Sequence, residues 1–509
     1  MKRVSATRRM RSDGLAGMPL ADIIARHARA SPDQCALHFE GEDISFRQLW
    51  QRIEQATSVL QMNGVRQGDR VAYLGFNDPA LLVLVFALAR LGAILLPLNY
   101  RLAPAELQAI LDHSAASLIV TDDHHAPVAT AMTLAGGLRP ISIASLHADA
   151  AHVVVPEPEN LAELEELPVL LVYTSGTTGK PKGALHTQAG LAWNCVISTH
   201  AHDLNSADHV LTVLPMFHVG GLCIQTLPAL HTGALVTLHR RFDAGAWLRD
   251  VQQRRPTISL MVPATLRAVL QHDDFAATDL SSLKLLNAGS SLVPVSMIAA
   301  LHARDVPVCQ VYGATETGPV SIYLRRDDAM RFPGSAGEAG LHVDVRLVDE
   351  RGEDVAANEV GEICIRAPNL MSGYWADADN PAFQNGWFRS GDLARRDDNG
   401  FYWVVGRSKD MIISGGENIY PAELESVLAE CPDILEAAVI GRDDARWGEV
   451  AVAVVVKKPD TSLTADGVLK LFDGRLARFK HPRQVVFQNA LPKTALGKVQ
   501  KAELKASLG

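Results

Sequence analysis

The chain has 509 residues, of which 48% are apolar and 21% charged, and its net charge is −9. This length allows several domains, and the composition is that of ordinary globular proteins. The acidic balance argues against nucleic acid as a partner. Six scattered cysteines without a CxxC pair argue against a disulfide framework or a zinc site, and they favour a reducing, cytoplasmic compartment.

Neither a secretory signal nor an integral membrane segment is predicted. Residues 1–18 are rich in arginine, but no apolar stretch follows them at once, so we expect a disordered leader. The longest apolar run, residues 80–98, is interrupted by Arg90, Gly92 and Pro97. Because a membrane span needs about 20 apolar residues without such breaks, a buried helix followed by a buried strand is the better interpretation.

Residues 19–121 alternate between segments of helical and strand-like periodicity. Such alternation predicts parallel βαβ units. The predicted elements are a helix at 21–29, a hairpin at 36–46, helices at 46–63, 80–91 and 104–113, and strands at 70–76, 93–98 and 117–121. Residues 122–168 look irregular and are interpreted as a variable connection.

A polar, glycine-rich stretch at residues 173–183 follows an apolar run, 169–172, that is typical of a buried strand. The stretch holds three glycines, four Ser or Thr residues and two lysines. Glycines let backbone N–H groups approach an anion, hydroxyls donate hydrogen bonds and lysines supply charge, so the stretch predicts a phosphate-binding loop. A P-loop is excluded, because only two residues separate Gly176 from Gly179 and Pro181 follows Lys180.

The βα alternation resumes after this loop, and the pattern changes near residue 323. The predicted elements up to there are helices at 190–200, 244–254 and 264–271, and strands at 209–213, 234–238, 258–262 and 284–288. Short alternating runs between Gly, Pro and Asp then predict a small β-rich subdomain at 323–405. The last hundred residues predict an α+β unit, with helices that begin at Pro421, Thr464 and Lys498 and strands at 436–440 and 450–456.

Several segments resemble the signatures of the adenylate-forming superfamily, in the same order along the chain. They are residues 173–183, 312–318 (Tyr-Gly-Ala-Thr-Glu-Thr-Gly), 390–394 (Ser-Gly-Asp-Leu-Ala), 406–418 and 491–499. This superfamily includes acyl-CoA synthetases, peptide-synthetase adenylation domains and luciferases. The resemblance therefore implies an enzyme that transfers AMP from ATP to a carboxylate.

The resemblance also implies which residues bind ATP. Those expected at the phosphates are Thr174, Ser175, Gly176, Thr177, Thr178, Lys182 and Thr315. Glu316 is expected to hold Mg²⁺, an ion that prefers carboxylate oxygen and substrate phosphates. Those expected beside the adenine and the acid are Gly289, Ser290, Ser291, Tyr312 and Gly313. The ribose hydroxyls are expected to bind Asp392 and Arg407.

Further roles follow from the same resemblance. Lys498 is expected to reach into the active site during adenylation, and Lys409 occupies the hinge position. The pantetheine arm of coenzyme A is expected to pass Gly415 and Gly416. His218 lies where the family has an aromatic residue or a histidine at the acyl-pocket entrance, although a histidine packed in the core is the alternative. Residues that match positions near the CoA nucleotide in some relatives are Phe479, Lys480 and Arg483.

The fold implied is α/β with two main parts. A large N-terminal AMP-binding domain at 19–406, built of parallel βαβ layers, includes the β-rich subdomain. A hinge at 407–409 joins it to a small, mobile α+β domain at 410–509.

The function implied is that of an AMP-forming acid–CoA ligase that uses ATP, Mg²⁺ and coenzyme A. Residues 219–222 and 288–292 are apolar or small, without a basic residue to pair a second carboxylate. We therefore expect an apolar monocarboxylate, either a medium- or long-chain fatty acid or an aromatic or phenylpropenoic acid. An adenylation domain that works without CoA, a luciferase-like enzyme and a non-catalytic nucleotide-binding regulator are the alternatives. The oligomeric state stays open, with a homodimer among the options.

Overall fold

The computed structural model describes residues 20–136, 138–147, 164–174, 182–289, 293–377, 382–415, 417–494 and 497–508. The predicted leader at 1–18 lies outside these residues. Among the described residues, no helix has the length and apolar character that crossing a membrane requires.

The α-helices alternate with strands over the first three hundred residues. In chain order they are α1 (Ile23–Ala30), α2 (Phe46–Met62), α3 (Pro79–Leu91), α4 (Pro104–Ser114), α5 (Ala126–Gly136), α6 (Gln188–His202), α7 (Val219–Cys223), α8 (Thr226–Thr232), α9 (Ala244–Arg254), α10 (Pro263–Leu270), α11 (Val295–His302), α12 (Arg326–Ala329), α13 (Pro421–Ala429), α14 (Ala465–Lys470) and α15 (Lys501–Leu508).

The strands fall into four sheets. In chain order they are β1 (Cys35–Phe39), β2 (Glu42–Ser45), β3 (Arg70–Leu74), β4 (Ile94–Pro97), β5 (Leu118–Thr121), β6 (Arg139–Ser142), β7 (Pro168–Thr174), β8 (Lys182–Thr187), β9 (His209–Thr212), β10 (Leu235–Leu238), β11 (Ile258–Met261), β12 (Leu285–Gly289), β13 (Val308–Tyr312), β14 (Ile322–Tyr323), β15 (Glu338–Ala339), β16 (Asp344–Val348), β17 (Val360–Arg366), β18 (Gly373–Tyr374), β19 (Phe383–Gln384), β20 (Trp387–Arg396), β21 (Tyr402–Arg407), β22 (Ile412–Ser414), β23 (Glu417–Ile419), β24 (Ile434–Asp444), β25 (Gly448–Lys457) and β26 (Gln484–Phe487).

Two large, mainly parallel sheets form the N-terminal part. One has the order β18-β8-β7-β4-β3-β5-β6, and the other β15-β14-β13-β12-β11-β9-β10-β1-β2. Helix α3 belongs to a core cluster that also contains strand residues of both sheets, such as Leu95 and Val236. It is buried along almost its whole length, which explains why its sequence lacks a polar face. The Asp78 side chain caps its first turn, and Gly92 ends it in the left-handed conformation.

Two smaller sheets follow. The first has the order β16-β17-β20-β19 with β21 on β20, and the second, in the C-terminal part, has the order β23-β22-β25-β24 with β26 on β25. The predicted α/β class, with parallel layers, a β-rich part and an α+β C-terminal part, is thus confirmed. Not all of 323–405 belongs to the small sheet, however. Strands β14 and β15 extend the nine-stranded sheet, and β18 pairs with β8 of the seven-stranded one.

The prediction was wrong in several places, and it also left out helix α11 and strand β13. Residues 122–168 are not wholly irregular, because they contain α5 and β6. Strand β8 was missed directly after the phosphate loop. The last helix begins at Lys501 rather than at Lys498, because the Thr494 N–H donates to the Lys498 carbonyl at 2.7 Å and Lys493 pairs with Val499 before the helix.

Candidate active site

The ends of the predicted phosphate loop are held by an antiparallel strand pair. Thr174 ends β7, Lys182 begins β8, and the two residues face each other in the register. The Thr174 hydroxyl donates to the Lys182 carbonyl over 3.5 Å. The loop residues Ser175, Gly176, Thr177 and Thr178 lie outside the described residues, so the structure places only the two ends of the loop.

Tyr374 links Lys182 to Glu316, and the sequence analysis missed it. Its hydroxyl donates to Glu316 Oε1 at 2.7 Å, and the Lys182 ammonium lies 5.0 Å from its ring centroid. Strand β18 brings it there by pairing Tyr374 with Ala184 of β8. Burial, and then the Glu316 carboxylate, raise the Tyr374 pKa, so the hydroxyl stays a donor. Lys182 Nζ also lies 3.5 Å from Asp377 Oδ2.

Glu316 sits in a short 3-10 turn, Thr315–Thr317, that follows β13. Thr315 is buried beside it. The turn is tight, because a Cβ atom on Gly313 would lie 1.7 Å from the Pro319 carbonyl oxygen. The position therefore excludes any residue but glycine unless the backbone moves.

The two residues expected at the ribose, Asp392 and Arg407, lie side by side. Strand register places Asp392 of β20 opposite Arg407 of β21, and Arg407 Nε lies 3.1 Å from Asp392 Oδ1. The Tyr312 hydroxyl donates to the other oxygen, Asp392 Oδ2, at 2.9 Å. Burial, followed by the Asp392 charge, raises the pKa of Tyr312. Gly289 ends β12 opposite Val311 of β13, next to Tyr312, whereas Ser290 and Ser291 lie outside the described residues.

Lys498 joins this group from the C-terminal part. The residue is exposed, although the surrounding protein atoms of the cleft still desolvate its ammonium group. Desolvation, and then the Arg407 charge, lower the pKa of Lys498 to about 8, although Asp392 and Asp410 oppose the shift. Next to it, a Cβ atom on Gly497 would lie 3.4 Å from Ala264 Cβ of α10, so this turn packs against the large part.

His218 faces the same cleft. It precedes α7, where its Nδ1 accepts from the Gly220 N–H at 3.3 Å. Burial, and then the Lys498 charge, lower the pKa of His218 to about 4, so the imidazole is neutral at pH 7. Asn77 holds the preceding segment: it donates to the Leu214 carbonyl at 3.0 Å and accepts from the Met216 N–H at 2.8 Å.

The hinge residue and the residues predicted for coenzyme A belong to the C-terminal part or its boundary. Lys409 is exposed in the short turn Ser408–Asp410, and Gly415 packs against the Trp447 ring, while Gly416 lies outside the described residues. The Arg483 guanidinium lies 5.3 Å from the Trp447 ring centroid. A surface cavity of about 530 Å³ lies beside it, lined by residues that include Arg478, Phe479 and Arg483.

Glu316 fits a magnesium ion that is shared with a nucleotide. Its carboxylate is oriented by Tyr374, and none of the basic side chains that the structure describes forms an ion pair with it. In the described ranges, no group of three His, Cys, Asp or Glu residues could hold a metal without further ligands. One carboxylate, completed by phosphate oxygens and water, is the ordinary environment of Mg²⁺.

Comparison with known proteins adds to this geometry. The model of the AMP-binding enzyme family matches residues 24–375, and that of the AMP-binding enzyme C-terminal domain matches residues 423–498. The chain belongs to this family.

Relatives over the full length are CoA ligases. The chain is 45% identical to an indoleacetate–CoA ligase of Aromatoleum aromaticum, over 96% of this chain and 98% of the relative. It is 41% identical to a feruloyl-CoA synthase of an Amycolatopsis species, over 98% of this chain and all of the relative.

Solved structures share the fold over nearly the whole chain. One is the anthranilate CoA ligase AuaEII in complex with anthranoyl-AMP, with a TM-score of 0.89, 27% identity, and coverage of 97% of this chain and 98% of that chain. Another is the o-succinylbenzoate CoA synthetase of Bacillus subtilis with ATP and a magnesium ion, with a TM-score of 0.84, 30% identity, and coverage of 96% and 99%.

Proposed function

We propose that this AMP-forming acid–CoA ligase activates an aromatic carboxylic acid with the residues gathered in the cleft. The observation that carries the proposal is the group of Tyr312, Asp392 and Arg407, joined at 2.9 and 3.1 Å, whose charges also act on Lys498 of the C-terminal part. A lysine next to an ion pair that can hold ribose suits stabilisation of charge on an α-phosphate. The indoleacetate and ferulate ligases, at 45% and 41% identity, favour an aromatic acid over the fatty acids named for a relative at 34%.

In the first half-reaction the acid's carboxylate oxygen attacks the α-phosphorus of ATP. A P–O bond forms to the acid, the bond to the bridging oxygen breaks, and pyrophosphate leaves. The transition state carries extra negative charge, which a preorganised cation stabilises best in a site that is shielded from water. Lys498 supplies that cation, while Asp392 accepts hydrogen bonds from the ribose hydroxyls and Tyr312 orients its carboxylate.

Mg²⁺, when bound, neutralises charge on the ATP phosphates. Glu316 would hold the ion, and the Tyr374 hydroxyl orients the Glu316 carboxylate. Lys182 and Thr174 lie at the ends of the loop that would surround the phosphates, and Thr315 lies beside Glu316. These assignments are supported by proximity, because Tyr374 contacts both Lys182 and Glu316. The signature segments 173–183 and 312–318 are therefore close to each other in the structure.

In the second half-reaction the sulfur of coenzyme A attacks the carbonyl carbon of the acyl-adenylate. A C–S bond forms, the C–O bond to AMP breaks, the thiol proton passes to solvent, and AMP leaves with an oxygen of the acid. Gly415 and Gly416 would border the pantetheine arm. The cavity beside Phe479 and Arg483 offers a ring and a cation for the CoA nucleotide.

We infer that the C-terminal part changes orientation between the two steps, so that Lys498 serves the first step and the face with Gly415 serves the second. We place the boundary of that movement at residues 407–409, where Arg407 ends β21 and Lys409 is exposed. All six cysteines are unpaired, which supports a reducing compartment such as the cytoplasm.

The test is a panel of acids with ATP, Mg²⁺ and coenzyme A, read out as AMP and acyl-CoA by mass spectrometry. We expect arylacetic and arylpropenoic acids to yield thioesters with higher kcat/KM than fatty acids of eight to sixteen carbons. Thioesters from fatty acids alone would contradict the aromatic assignment. Formation of adenylate without any thioester would favour a CoA-independent adenylating enzyme instead. If no acid yields AMP or thioester, a non-catalytic regulator would be favoured.

A further inference from the structure

Gln225 lies at the base of α8, seven residues after His218, and is buried. Its side chain lines a small cavity of about 10 Å³, together with Gly220, Gly221 and other residues of the segment that follows β9. A cavity of this size has room for one water-sized group. It therefore fits a single polar substituent rather than an alkyl chain.

The orientation of the Gln225 amide is set by backbone carbonyls, which can only accept. Asn287 must direct its Nδ2 to the Cys309 carbonyl, at 3.4 Å, so its Oδ1 is an acceptor. Gln225 Nε2 donates to that Oδ1 at 2.6 Å and reaches the Ser259 carbonyl at 3.5 Å. A flipped Gln225 amide would bring its oxygen against two acceptors, so Oε1 is the atom left for another partner.

The hydroxyl groups around the cavity already have hydrogen-bond partners. The Thr226 hydroxyl donates to the Gly221 carbonyl at 2.6 Å, and the Thr212 and Thr226 hydroxyl oxygens are 2.8 Å apart. By contrast, no group within the described ranges donates to Gln225 Oε1. Among the polar side chains that line the cavity, Gln225 thus holds the unpaired acceptor.

The remaining walls are apolar. Leu214, Leu260 and Val262 form a separate buried cluster, against which the partly buried Ile224 packs. Leu214 and Leu260 also line the cavity. A ring in contact with this wall would be held by apolar burial. Its edge could still meet one hydrogen-bond acceptor, which is the usual composition of a ligand pocket.

We infer that Gln225 selects aromatic acids that carry an N–H or O–H donor on the ring, by accepting a hydrogen bond from that donor at Oε1. The inference rests on the proposed function and deepens it. Gln225 Oε1 is not among the described buried side-chain atoms that lack a hydrogen-bond partner, so it keeps access to the cavity. An alkyl chain or an unsubstituted ring would cover this acceptor without pairing it, whereas a ring donor pairs with it. A site with a buried, unpaired polar group rejects an analogue that lacks the matching group.

The first experiment uses the wild-type enzyme and two matched pairs of acids. One pair is indoleacetate and benzothiopheneacetate, in which sulfur replaces the ring N–H. The other pair is para-hydroxycinnamate and para-methoxycinnamate, in which a methyl group replaces the O–H hydrogen. We expect kcat/KM for acyl-CoA formation to favour the donor by about 10- to 100-fold in one pair at least, the effect of a hydrogen bond to a desolvated acceptor. The pair that responds tells whether the donor is N–H or O–H.

The second experiment repeats the measurement with Gln225→Met, which keeps a long side chain but removes the acceptor. We expect the donor preference to fall to within about 3-fold, mainly through lower kcat/KM for the donor acid, since only the acceptor's contribution is lost. Ser259→Ala is the matched control. It removes a buried hydroxyl that donates to the Leu211 carbonyl at 2.8 Å and accepts from the Trp247 indole N–H at 3.2 Å, but it keeps the Ser259 backbone carbonyl near Gln225. Its donor preference should equal that of the wild type.

The outcomes separate the two ideas. If the wild type turns over both members of both pairs equally well, the Gln225 inference is overturned and the ligase function is left intact. This outcome is measured on the wild-type enzyme, so it does not depend on whether a variant folds. A donor preference that survives in Gln225→Met also overturns the inference. If none of the four acids yields AMP and a thioester while a fatty acid does, the aromatic assignment fails, and the inference fails with it.

Discussion

Lys498 is the residue on which the adenylation step depends most. We expect Lys498→Ala to lower the rate of adenylate formation by about 10²- to 10³-fold, because one preorganised donor to the developing charge is lost. Thioester formation from a supplied acyl-adenylate should stay close to wild type. The two half-reactions are measured separately by pyrophosphate release and by acyl-CoA formation.

The matched control is Lys501→Ala, which removes a nearby lysine that pairs with Glu425 at 2.7 Å. It should leave both half-reactions unchanged. An equal loss of both half-reactions in Lys498→Ala would contradict the division of labour between the two steps.

The pH dependence follows from the same residue. The ammonium form stabilises negative charge, and its pKa is lowered to about 8, so the charged fraction falls as the pH rises through 8. We expect kcat/KM for ATP in the adenylation step to decline above pH 8, since this parameter reports groups of the free enzyme. In Lys498→Arg the side chain stays charged at all these pH values, so kcat/KM should no longer decline above pH 8. A profile that is flat to pH 10 in the wild type would contradict the assignment.

Tyr374 gives a prediction about the magnesium site. Tyr374→Phe removes one hydrogen bond to the Glu316 carboxylate, and a bond to a charged group is worth about 1.5–3 kcal/mol. We expect kcat/KM for MgATP to fall by about 10-fold or more, with a higher Mg²⁺ concentration needed for half-maximal rate. Tyr323→Phe, which removes a hydroxyl that accepts from the Leu341 N–H, should leave the Mg²⁺ requirement unchanged. If Tyr374→Phe and the wild type need the same Mg²⁺ concentration for half-maximal rate, Tyr374 does not orient the magnesium ligand as proposed.

For single residues, the sequence analysis was better at naming site residues than at predicting which of them contact each other. Tyr312, Asp392 and Arg407 were found because each belongs to a signature, and the structure brings them together. Tyr374 was missed because its partner Glu316 is 58 residues away and its own segment carries no signature. The roles of all these side chains, and of the loop residues outside the described ranges, stay predictions until they are tested.

Among the elements, the tight turn between β13 and β14 offers a stability test. Gly313→Ala places a Cβ atom 1.7 Å from the Pro319 carbonyl, so the backbone must move. We expect the free energy of unfolding to fall by about 3 kcal/mol, as for severe overpacking, and activity to be lost. In Gly467→Ala, within α14, the nearest atoms would lie 3.4 Å away, and helix propensity should raise stability by about 0.5 kcal/mol. Denaturant unfolding of both variants checks this, and equal midpoints would contradict the account.

Three of the elements that the sequence analysis missed have a weak pattern. The sequence of helix α5 is mostly Ala, Thr and apolar residues without a charged residue, so it shows no polar face. Strand β6 is partly exposed and contains Pro140, which hides a strand pattern. Strand β8 begins inside the glycine-rich stretch and was taken for loop. Elements with strong apolar periodicity, such as α2 and α3, were predicted almost to the residue.

For the whole molecule, the central question is whether the C-terminal part changes orientation between the two steps. The observed arrangement is held by the Arg267 side chain, which donates to the Leu435 carbonyl at 2.7 Å, and by Gly497 against Ala264. A Cβ atom on Gly497 would lie 3.4 Å from Ala264 Cβ, which is close to the Cβ–Cβ distance across a disulfide. Gly497 has a φ of 78°, where a side chain is strained, so the reduced Ala264→Cys, Gly497→Cys enzyme is first checked for adenylate formation. We expect the oxidised enzyme to keep the adenylate formation of the reduced form but to yield no thioester, and reduction to restore the thioester.

The single-cysteine variants, oxidised in the same way, are the controls, because the chain has six free cysteines of its own. A cross-linked enzyme that still completes both half-reactions would contradict the movement about residues 407–409. The domain boundaries and the hinge stay predictions, since the sheets alone do not show which residues move.

The most direct test of the two-step account follows an oxygen atom. The acid is labelled with ¹⁸O in its carboxylate and turned over with ATP, Mg²⁺ and coenzyme A, and the products are weighed by mass spectrometry. Attack of the carboxylate on the α-phosphorus predicts one ¹⁸O atom in AMP, one retained in the acyl-CoA and none in pyrophosphate. Label in pyrophosphate or phosphate, or AMP without label, would contradict an acyl-adenylate intermediate and with it the proposed chemistry.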